Sequence, residues 1–599
     1  MRRYVCALLL FVSPTLASAA VSCPGGGSPN QYGFCGLYAA PQIACQSKSA
    51  NGCSQPSGSA NIGFYTVKPA SGTAGSEFAG IAYANFSGSP GYDTPNANGA
   101  VGPNQVLEFV NSGIQAFDKT TGNPIFVKSG STTPTPQSPS RPWASYADSP
   151  LTANCGNLSI DVNATYDQED SLFVLSAISN SSSKNVPAIC IAVSTTDNLQ
   201  GTSGRSYWNS YGFSLDNLIV TDSGENAYFD YPRFGNFGSN YYLAIDYIDN
   251  TPSSPDYQHI LGYIVCTLDK TDIVAGTPAN SAQCAVYLPT RTSGFDSIIH
   301  SLIPADTDST SVAPNTQGEY FLGQVNPIAN GTTWTQGSNC YQSYSCAGSA
   351  ELLLWTWSEI SSGQPGSVVS STFMPGCYNP WKPSDTFCVL QPSPATSSQV
   401  VDGLSDRVSG RFAYRYDTSI LDQEILAGTN TIWNGNGTEQ VPQQTVQYSV
   451  LLASPGSLPA LSTSGTFPAA DATWSAWTAS VAINSQDTLG LTFTEDDWGT
   501  ANPLPPSIYS AQIIYSSSTW EAQTPSLVLE GKGVSTGTST YVPDWGNYVS
   551  IALDPVNQTE FWGVNEYLNG NQTPSALTWA TEIFNFSPSG NKTKITRTK

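Results

Sequence analysis

The feature that most constrains this chain is a short strand pattern that recurs along its length. The clearest copy occupies residues 541–586, where runs rich in Val, Ile, Tyr, Phe, Trp and Thr cover residues 548–553, 561–567 and 578–586. Asp, Pro, Asn and Gly fill the gaps, which is the composition of strands joined by turns. A meander of this kind has an apolar face that it cannot bury alone. It therefore predicts neighbours of the same kind.

Degenerate copies of the pattern occur upstream. The first strands of the copies are predicted to begin near residues 99, 161, 231, 301, 410, 479 and 548. Most intervals are about 70 residues, and a repeat of fixed period is typical of an array of similar units. Radial placement of such sheets around an axis leaves only short strand edges exposed. The sequence thus predicts an all-β fold, a seven-bladed β-propeller. A set of β-sandwich domains is the alternative, because regularly spaced strands fit both.

Composition changes along the chain predict its domain organisation. Two arginines, an apolar run and small residues open the sequence in the order of a signal peptide. The next segment is rich in Gly, Ser and Cys, and the last residues are basic. We predict a signal peptide at residues 1–20, a disulfide-held extension at 21–75, the propeller at 76–586 and a flexible tail at 587–599.

Three segments outside the repeats complete this organisation. A strand predicted at residues 76–86 is available to complete the last blade, which shows only three strands of its own. That arrangement joins the two ends of the chain and removes an exposed edge. Residues 128–150 and 363–399 are rich in Pro and Ser or Thr. Both are predicted to be surface loops inserted between blades.

Net charge limits the partners of the protein. The chain has 44 acidic and 21 basic residues, a formal net charge of −23. This balance argues against nucleic acid or an anionic membrane as partner. After the predicted signal peptide, no apolar run approaches the length of a membrane-spanning helix. We expect a secreted protein, extracellular or periplasmic and monomeric, whose partner is an extracellular polysaccharide or a cell-surface glycan.

The cysteines indicate an oxidising compartment. Of the 13 cysteines, Cys6 lies in the signal peptide, and the even number that remains predicts disulfides. Proximity in sequence favours Cys266–Cys284, Cys340–Cys346 and Cys377–Cys388, although the connectivity stays open. The absence of a Cys-x-x-Cys motif and the presence of two histidines disfavour a zinc-type site. No metal or other cofactor is predicted, with Ca²⁺ left open because carboxylates cluster at one end of the fold.

Four segments resemble an uncharacterised family of secreted bacterial β-propeller proteins. They are GAVGPNQVLEFVN from residue 99, FDYPRFGNF from residue 229, GRFAYRYD from residue 410 and DWGNYVSIALDPVNQTEFWGVNEY from residue 544. The resemblance spans about residues 93–586. It implies a propeller of the sialidase-like superfold and little about activity. This chain departs from the family pattern at Gln105, at Asp422-Gln423-Glu424 and at Asn547, where His, His-Glu-Ser and Asp are usual, and it has no Ser-x-Asp-x-Gly-x-Thr-Trp box.

The candidate site lies at one end of the predicted propeller. Loops that lead into the first strands and loops between second and third strands converge at this end, here called the mouth. Carboxylates beside aromatic rings suit a sugar, and two carboxylates from different blades suit glycoside hydrolysis. Asp230 and Asp544 are the predicted catalytic pair. The predicted ligand-binding residues are Asp161, Tyr231, Arg233, His300, Asp406, Arg407, Trp477, Trp545 and Glu566.

Several of these residues also have a structural interpretation. Asp230 and Asp544 are suited to capping loop amides at the turns that lead into blades. Arg411 and Arg415 alternate with aromatic residues in a strand, and we expect them to pair with buried acids. The pair Asp496-Asp497 lacks the spaced pattern of a Ca²⁺ loop, and no Gly-x-Ser-x-Gly elbow supports a histidine-dependent triad.

Two functions remain open from the sequence. The first is a non-catalytic propeller that binds a glycan or a surface partner through its mouth. The second is a polysaccharide-active hydrolase or lyase that uses mouth carboxylates. The scarcity of histidine favours binding, whereas the Trp- and Asp-rich mouth fits either function.

Overall fold

The architecture is taken from a computed structural model. It describes residues 73–86, 94–126, 134–143, 155, 158, 161–181, 186–199, 207–215, 227–249, 260–276, 282–287, 299–314, 316, 318–325, 350–362, 366–375, 389–390, 400–401, 403, 407–418, 423–433, 444–467, 474–498, 503–535, 545–573 and 576–588. The predicted signal peptide, most of the cysteine-rich extension and almost all of the basic tail lie outside these residues.

The described strands form seven successive antiparallel meanders, here called blades 1 to 7. Blade 1 contains β2 (Asn98–Val101), β3 (Gln105–Val110) and β4 (Gly113–Asp118). Blade 2 contains β5 (Asn163–Asp167), β6 (Leu172–Ser181), β7 (Val186–Ser194) and β8 (Trp208–Ser214). Blade 3 contains β9 (Ala227–Phe237), β10 (Asn240–Asp249), β11 (Ile260–Asp269) and β12 (Ala282–Tyr287). Blade 4 contains β13 (Ile299–Thr307), β14 (Tyr320–Val325), β15 (Ala350–Thr356) and β16 (Ser367–Pro375), and the short pair β17 (Val389–Leu390) and β18 (Val400–Val401) follows.

The second half of the chain continues the pattern. Blade 5 contains β19 (Val408–Asp417), β20 (Gln423–Trp433), β21 (Gln444–Ala453) and β22 (Ala460–Phe467). Blade 6 contains β23 (Trp474–Ile483), β24 (Leu489–Asp497), β25 (Leu504–Ser516), β26 (Thr519–Ala522) and β27 (Ser526–Leu529). Blade 7 contains β28 (Ser550–Leu553), β29 (Phe561–Leu568) and β30 (Trp579–Ser587), to which β1 (Thr73–Ala82) is added. Short α-helices occupy Lys270–Ala275 and Trp357–Ser361.

The blades are arranged as a closed ring. The first strand of each blade contacts the first strands of the blades before and after it, and β28 of blade 7 returns to β2 of blade 1. Residues from all seven first strands line one cavity on the axis of this ring. The all-β propeller class predicted from the repeat is therefore confirmed.

Burial explains why the strands are so rich in apolar residues. A sheet packed between two other sheets has no solvent-facing side, so both faces of its strands are apolar. Every residue of β3 and of β24 is buried. The outermost strand β22 faces water instead and has mostly exposed or half-buried residues. Burial therefore decreases from the axis to the rim, as radial packing requires.

The N-terminal strand closes the ring. β1 pairs antiparallel with β30, the last strand of the fold. The backbone N–H of Ile81 also donates to Glu108 Oε2 of blade 1 at 2.8 Å. The prediction that a strand at residues 76–86 completes the last blade is confirmed.

Two predicted surface loops contain ordered structure. The prediction for residues 363–399 is wrong in part, because Ser367–Pro375 forms β16, the outer strand of blade 4. The prediction for residues 128–150 is wrong at Trp143, which is fully buried and donates its indole N–H to the carbonyl of Ile191 at 3.1 Å. Pro-rich composition hid both features, since a single strand or a single anchored aromatic leaves little periodicity.

Two disulfides lie within the described residues. Cys266–Cys284 joins neighbouring strands of blade 3, as sequence proximity predicted. Cys155–Cys190 anchors the segment before blade 2 to β7. The other predicted pairs, Cys340–Cys346 and Cys377–Cys388, lie outside the described residues. The two disulfides agree with the oxidising compartment inferred from the sequence.

Candidate functional site

The mouth is shaped by a backbone conformation that recurs from blade to blade. Near the start of the first strands of blades 1 to 6, one residue has a positive φ, between 44° and 63°. These residues are Asn96, Asp161, Tyr231, Ser301, Gly410 and Thr478. In β9, β13, β19 and β23 the strand register shifts at this point, so the residue lies in a β-bulge. A bulge redirects side chains and carbonyls, and such strained positions are concentrated at functional sites.

Arg233 crosses the axis just beyond these bulges. Arg233 is 2% exposed, and its side chain extends from blade 3. Its guanidinium donates to Ser301 Oγ at 3.4 Å, to the Gly410 carbonyl at 3.5 Å and to the Asn547 carbonyl at 3.4 Å. These partners belong to blades 4, 5 and 7. Arg233 therefore ties four blades together and lies at the mouth end of the axial cavity, whose lining it joins.

Aromatic rings and guanidinium groups alternate above and beside Arg233. The Arg233 guanidinium carbon lies 4.1 Å from the centre of the Tyr548 ring, and the Arg407 guanidinium carbon lies 4.1 Å from the centre of the Tyr231 ring. The two tyrosine rings are stacked with centres 6.4 Å apart. Tyr548 is buried and donates its hydroxyl to the carbonyl of Pro232 at 3.1 Å. Arg407 stays partly exposed, so this stack reaches the surface of the mouth.

Two carboxyl groups from adjacent blades meet beside this stack. Asp161 of blade 2 is 1% exposed, and its carboxyl group hydrogen-bonds that of the partly exposed Asp230 of blade 3. Burial raises the pKa of Asp230 well above its ordinary value, and the nearby Asp161 and Asp246 raise it further. Loss of the proton from Asp230 is therefore disfavoured, because two adjacent carboxylates repel each other in a poorly solvated site.

A second group of acids lies under blades 6 and 7. Burial raises the pKa of Glu566 to about 8 and the pKa of Glu495 to about 8. Glu566 is buried, and its Oε2 atom has no hydrogen-bond partner. Burial also raises the pKa of Asp496 well above its ordinary value. Burial therefore disfavours the charged form of all three groups.

The predicted tryptophans support the mouth from below. Trp477 is 0% exposed and Trp545 is 2% exposed. Their rings meet edge to face at 5.6 Å, and the Trp545 indole N–H donates to Thr494 Oγ1 at 3.1 Å. In this arrangement neither ring offers an open face for a sugar. Tyr231, at 8% exposed, has a larger exposed fraction than either tryptophan and lies against the partly exposed Arg407 guanidinium.

The remaining predicted site residues are described only in part. His300 lies in β13 opposite Gln324, and its backbone position is at the level of the bulge. Asp406, Asp544 and the second histidine, His259, lie outside the described residues. The predicted pair of Asp230 and Asp544 therefore stays a prediction. The contact partner that the structure gives Asp230 is Asp161.

Sequence reasoning missed three residues that shape the site. Asn96 and Asn547 contact the carboxyl pair, and Tyr548 carries the Arg233 guanidinium on its ring. The repeat held a usable signal for Asn96. It lies 65 residues before Asp161, close to the repeat length, and has the same positive-φ position.

The lower half of the axis is occupied by a structural ion-pair network. The Arg411 guanidinium donates to Asp306 and to Asp308, with 2.6 Å to Asp308 Oδ1. Asp306 also accepts from Thr165 of blade 2, and Asp308 Oδ2 accepts the backbone N–H of Ile483 of blade 6 at 2.7 Å. The expectation that Arg411 pairs with buried acids is confirmed.

No group of three or more His, Cys, Asp or Glu side chains with metal-binding geometry occurs among the described residues. No described helix is both long and apolar enough to cross a membrane.

Comparisons with known proteins give distant structural similarities. No family model matches the chain, and no curated protein matches it. The polysaccharide lyase Uly1 shares 10% identity over 84% of this chain and 91% of its own, with a TM-score of 0.35. An exo-1,5-α-L-arabinanase from a bovine ruminal metagenomic library shares 11% identity over 62% and 97%, with a TM-score of 0.29. The α-L-arabinanase of Penicillium chrysogenum, solved with arabinobiose, shares 7% identity over 59% and 92%, with a TM-score of 0.28. The chain is similar to these proteins at a level too low to carry an inference about its activity, so its function is argued from its own residues.

Proposed function

We propose that this protein is a secreted β-propeller that binds an extracellular glycan through its mouth. The observation that carries the proposal is the set of the partly exposed Arg407 and Asp230 with the buried ring of Tyr231 beside them. The Arg407 guanidinium stacks on the Tyr231 ring at 4.1 Å, and Asp230 precedes Tyr231 in the same bulge. A planar cation, an aromatic ring and a carboxyl group are the chemical groups that recognise sugar hydroxyls and C–H faces.

The axial cavity behind these three residues favours binding of a glycan at the mouth over its passage along the axis. Arg233 spans the mouth end of the axial cavity and is held by three blades besides its own. A glycan that enters the mouth therefore meets a floor formed by Arg233 and Tyr548. Such a floor suits a chain end or a short segment lying across the mouth. His300, Asp406 and Asp544 are expected to border this floor, as their positions in the repeat predict.

The test is retention on a panel of immobilised polysaccharides, followed by titration calorimetry with oligosaccharides of the retained polymer. Arg407→Ala is expected to weaken binding at least about tenfold, which corresponds to about 1.4 kcal/mol. Lys532→Ala removes the same charge from an exposed position, where it contacts Asn569 Oδ1, and is expected to bind like the parent. Retention of no polysaccharide, or equal effects of the two substitutions, would reject the proposal.

A second candidate function is polysaccharide cleavage that uses Asp230 as a general acid. One observation favours it: burial and the adjacent Asp161 raise the pKa of Asp230, as suits a general acid. Hydrolysis would also need a second carboxylate about 5–10 Å away, which is the role predicted for Asp544. Release of reducing ends or unsaturated products from the retained polymer tests this function. Loss of release in both Asp230→Asn and Asp544→Asn supports it, whereas release that survives both substitutions rejects the pair.

A further inference from the structure

The orientation of one amide group determines how the carboxyl pair is protonated. Asn96 Oδ1 accepts the backbone N–H of Asn547 at 2.6 Å. An amide cannot accept through its nitrogen, so this contact fixes which end of Asn96 faces which partner. The Nδ2 end of Asn96 therefore points at Asp161 and donates to its Oδ1 atom.

Asp161 is thereby held as a hydrogen-bond acceptor. The side-chain amide of Asn547 reaches the same Oδ1 atom at 3.5 Å. The backbone N–H of Asp161 donates to Asn111 Oδ1 at 2.9 Å, which fixes the residue in its left-handed conformation with φ of 61°. Donors aimed at a carboxyl oxygen stabilise its ionised form. Two side-chain donors therefore favour the carboxylate form of Asp161.

The other half of the pair has the opposite requirement. Asp230 Oδ1 accepts the backbone N–H of Tyr231 at 3.0 Å, and the Asp230 carboxyl group contacts Asp161. Asp161 Oδ2 is buried and meets no N–H or hydroxyl donor among its neighbours. A proton on Asp230, donated to Asp161 Oδ2, completes the hydrogen bonds of both groups. With no proton, two carboxylates would touch, and with the proton on Asp161 the Asn96 and Asn547 donors would face a neutral group.

We propose that Asn96 and Asn547 are positioning residues that keep Asp161 ionised and place the single proton of the pair on Asp230. This proposal rests on the proposed function and deepens it, because it makes Asp230, the partly exposed member of the pair, the neutral acid. Other charged or titratable groups near the pair include Asp246 across the strand in β10, Arg233, Tyr548, and Arg407 on the ring of Tyr231. The Arg233 guanidinium donates to the carbonyl of Asn547, the residue whose side-chain amide contacts Asp161.

Carbon-13 NMR of protein labelled at the aspartate carboxyl carbon tests the assignment without any glycan. Asp161→Asn and Asp230→Asn each remove one signal and so identify the pair. At pH 7 the Asp230 signal is expected at the position of a protonated carboxyl group and the Asp161 signal at that of a carboxylate. Both signals at the carboxylate position, or the proton on Asp161, would overturn the proposal.

The positioning role has its own variants. Asn96→Ala is expected to move the Asp161 signal towards the protonated position, because the proton is then shared between the two groups. Asn547→Ala removes one side-chain donor but keeps the backbone N–H, so it tests the same effect should Asn96→Ala not fold. Asn163→Ala is the matched control, since its amide donates to the Pro232 carbonyl at 2.8 Å and not to the pair. If neither asparagine variant changes the signals relative to this control, the proposal is wrong. Since no glycan is present, this result is independent of whether the mouth binds one.

Discussion

The hydroxyl oxygen of Thr581 lies 2.8 Å from the carbonyl oxygen of Ile81 and also contacts Oε1 of Glu108. A hydroxyl group has one hydrogen to donate. If it donates to the Ile81 carbonyl, Glu108 must supply the proton for the second contact. Burial raises the pKa of Glu108 to about 7, which agrees with a protonated group. The three residues belong to β1, β3 and β30, so this proton lies where the ring closes.

We expect the ionisation of Glu108 to lower the free energy of unfolding as the pH rises. Its pKa is raised from 4.5 in the reference state to about 7 in the folded protein. The unfolded chain therefore ionises first, and the stability that Glu108 contributes is full below about pH 4.5 and is lost as pH rises to about 7. The difference is about 3 kcal/mol for a shift of this size. Glu108→Gln mimics the protonated form and is expected to match the parent at pH 5 and to exceed it at pH 8 in urea unfolding.

A matched variant at an exposed glutamate separates this effect from the mere removal of one negative charge. Glu521 lies exposed in β26, so Glu521→Gln removes the same charge without touching the closure. It is expected to follow the parent at both pH values. Equal pH dependence in the parent and in Glu108→Gln would contradict the protonated junction.

Gly80 predicts a steric limit at the same junction. A Cβ atom at Gly80 would lie 2.4 Å from Thr581 Oγ1 and 2.6 Å from Glu108 Oε2, which are both buried. Gly80→Ala is therefore expected to push β1 away from β30 and to cost about 1–3 kcal/mol. Hydrogen exchange measured on peptides from Thr73–Ala82 should show faster exchange in this variant. Ala79→Ser, at an exposed position of the same strand, should exchange like the parent, and equal exchange in both variants would argue against the close contact.

The repeat explains why so much of the fold is predictable and so little of the site. Runs of strand-forming residues separated by turn residues reveal each first strand, because burial on both faces demands apolar side chains along the whole strand. The closing role of β1 also follows from an unpaired edge. The contact between Asp161 and Asp230 could not be predicted in this way, since it depends on the left-handed backbone of Asp161 and on the bulge at Tyr231 beside Asp230. Trp477, next to the bulge of β23, is fully buried, whereas its sequence position had indicated an exposed ring.

The disulfide of blade 3 predicts a specific response to reductant. Cys266 and Cys284 are separated by 18 residues, and closing a loop of this length stabilises the folded state by about 3 kcal/mol in the chain-entropy model. The double variant Cys266→Ser, Cys284→Ser is expected to unfold at lower urea concentration than the oxidised parent. Reductant should lower the stability of the parent more than that of the double variant. An equal response would show that the Cys266–Cys284 bond contributes little.

Among these substitutions, we expect Arg411→Met to cause the largest single loss of stability. Its guanidinium is the counterion of Asp306 and Asp308 on the axis, and the pKa of Arg411 is raised because both carboxylates outweigh the effect of its burial. Arg411→Met keeps much of the side-chain volume but removes the ion-pair partner of Asp306 and Asp308, and breaking a buried ion pair costs about 3–5 kcal/mol. Arg415→Met removes a half-buried cation that donates to the backbone carbonyl of Asp308 at 2.7 Å, and it is expected to cost about 1 kcal/mol. Urea unfolding of the two variants should therefore differ by at least about 2 kcal/mol. If both variants lose the same stability, Arg411 is not the centre of the axial network, and the blades must be held at this level by packing alone.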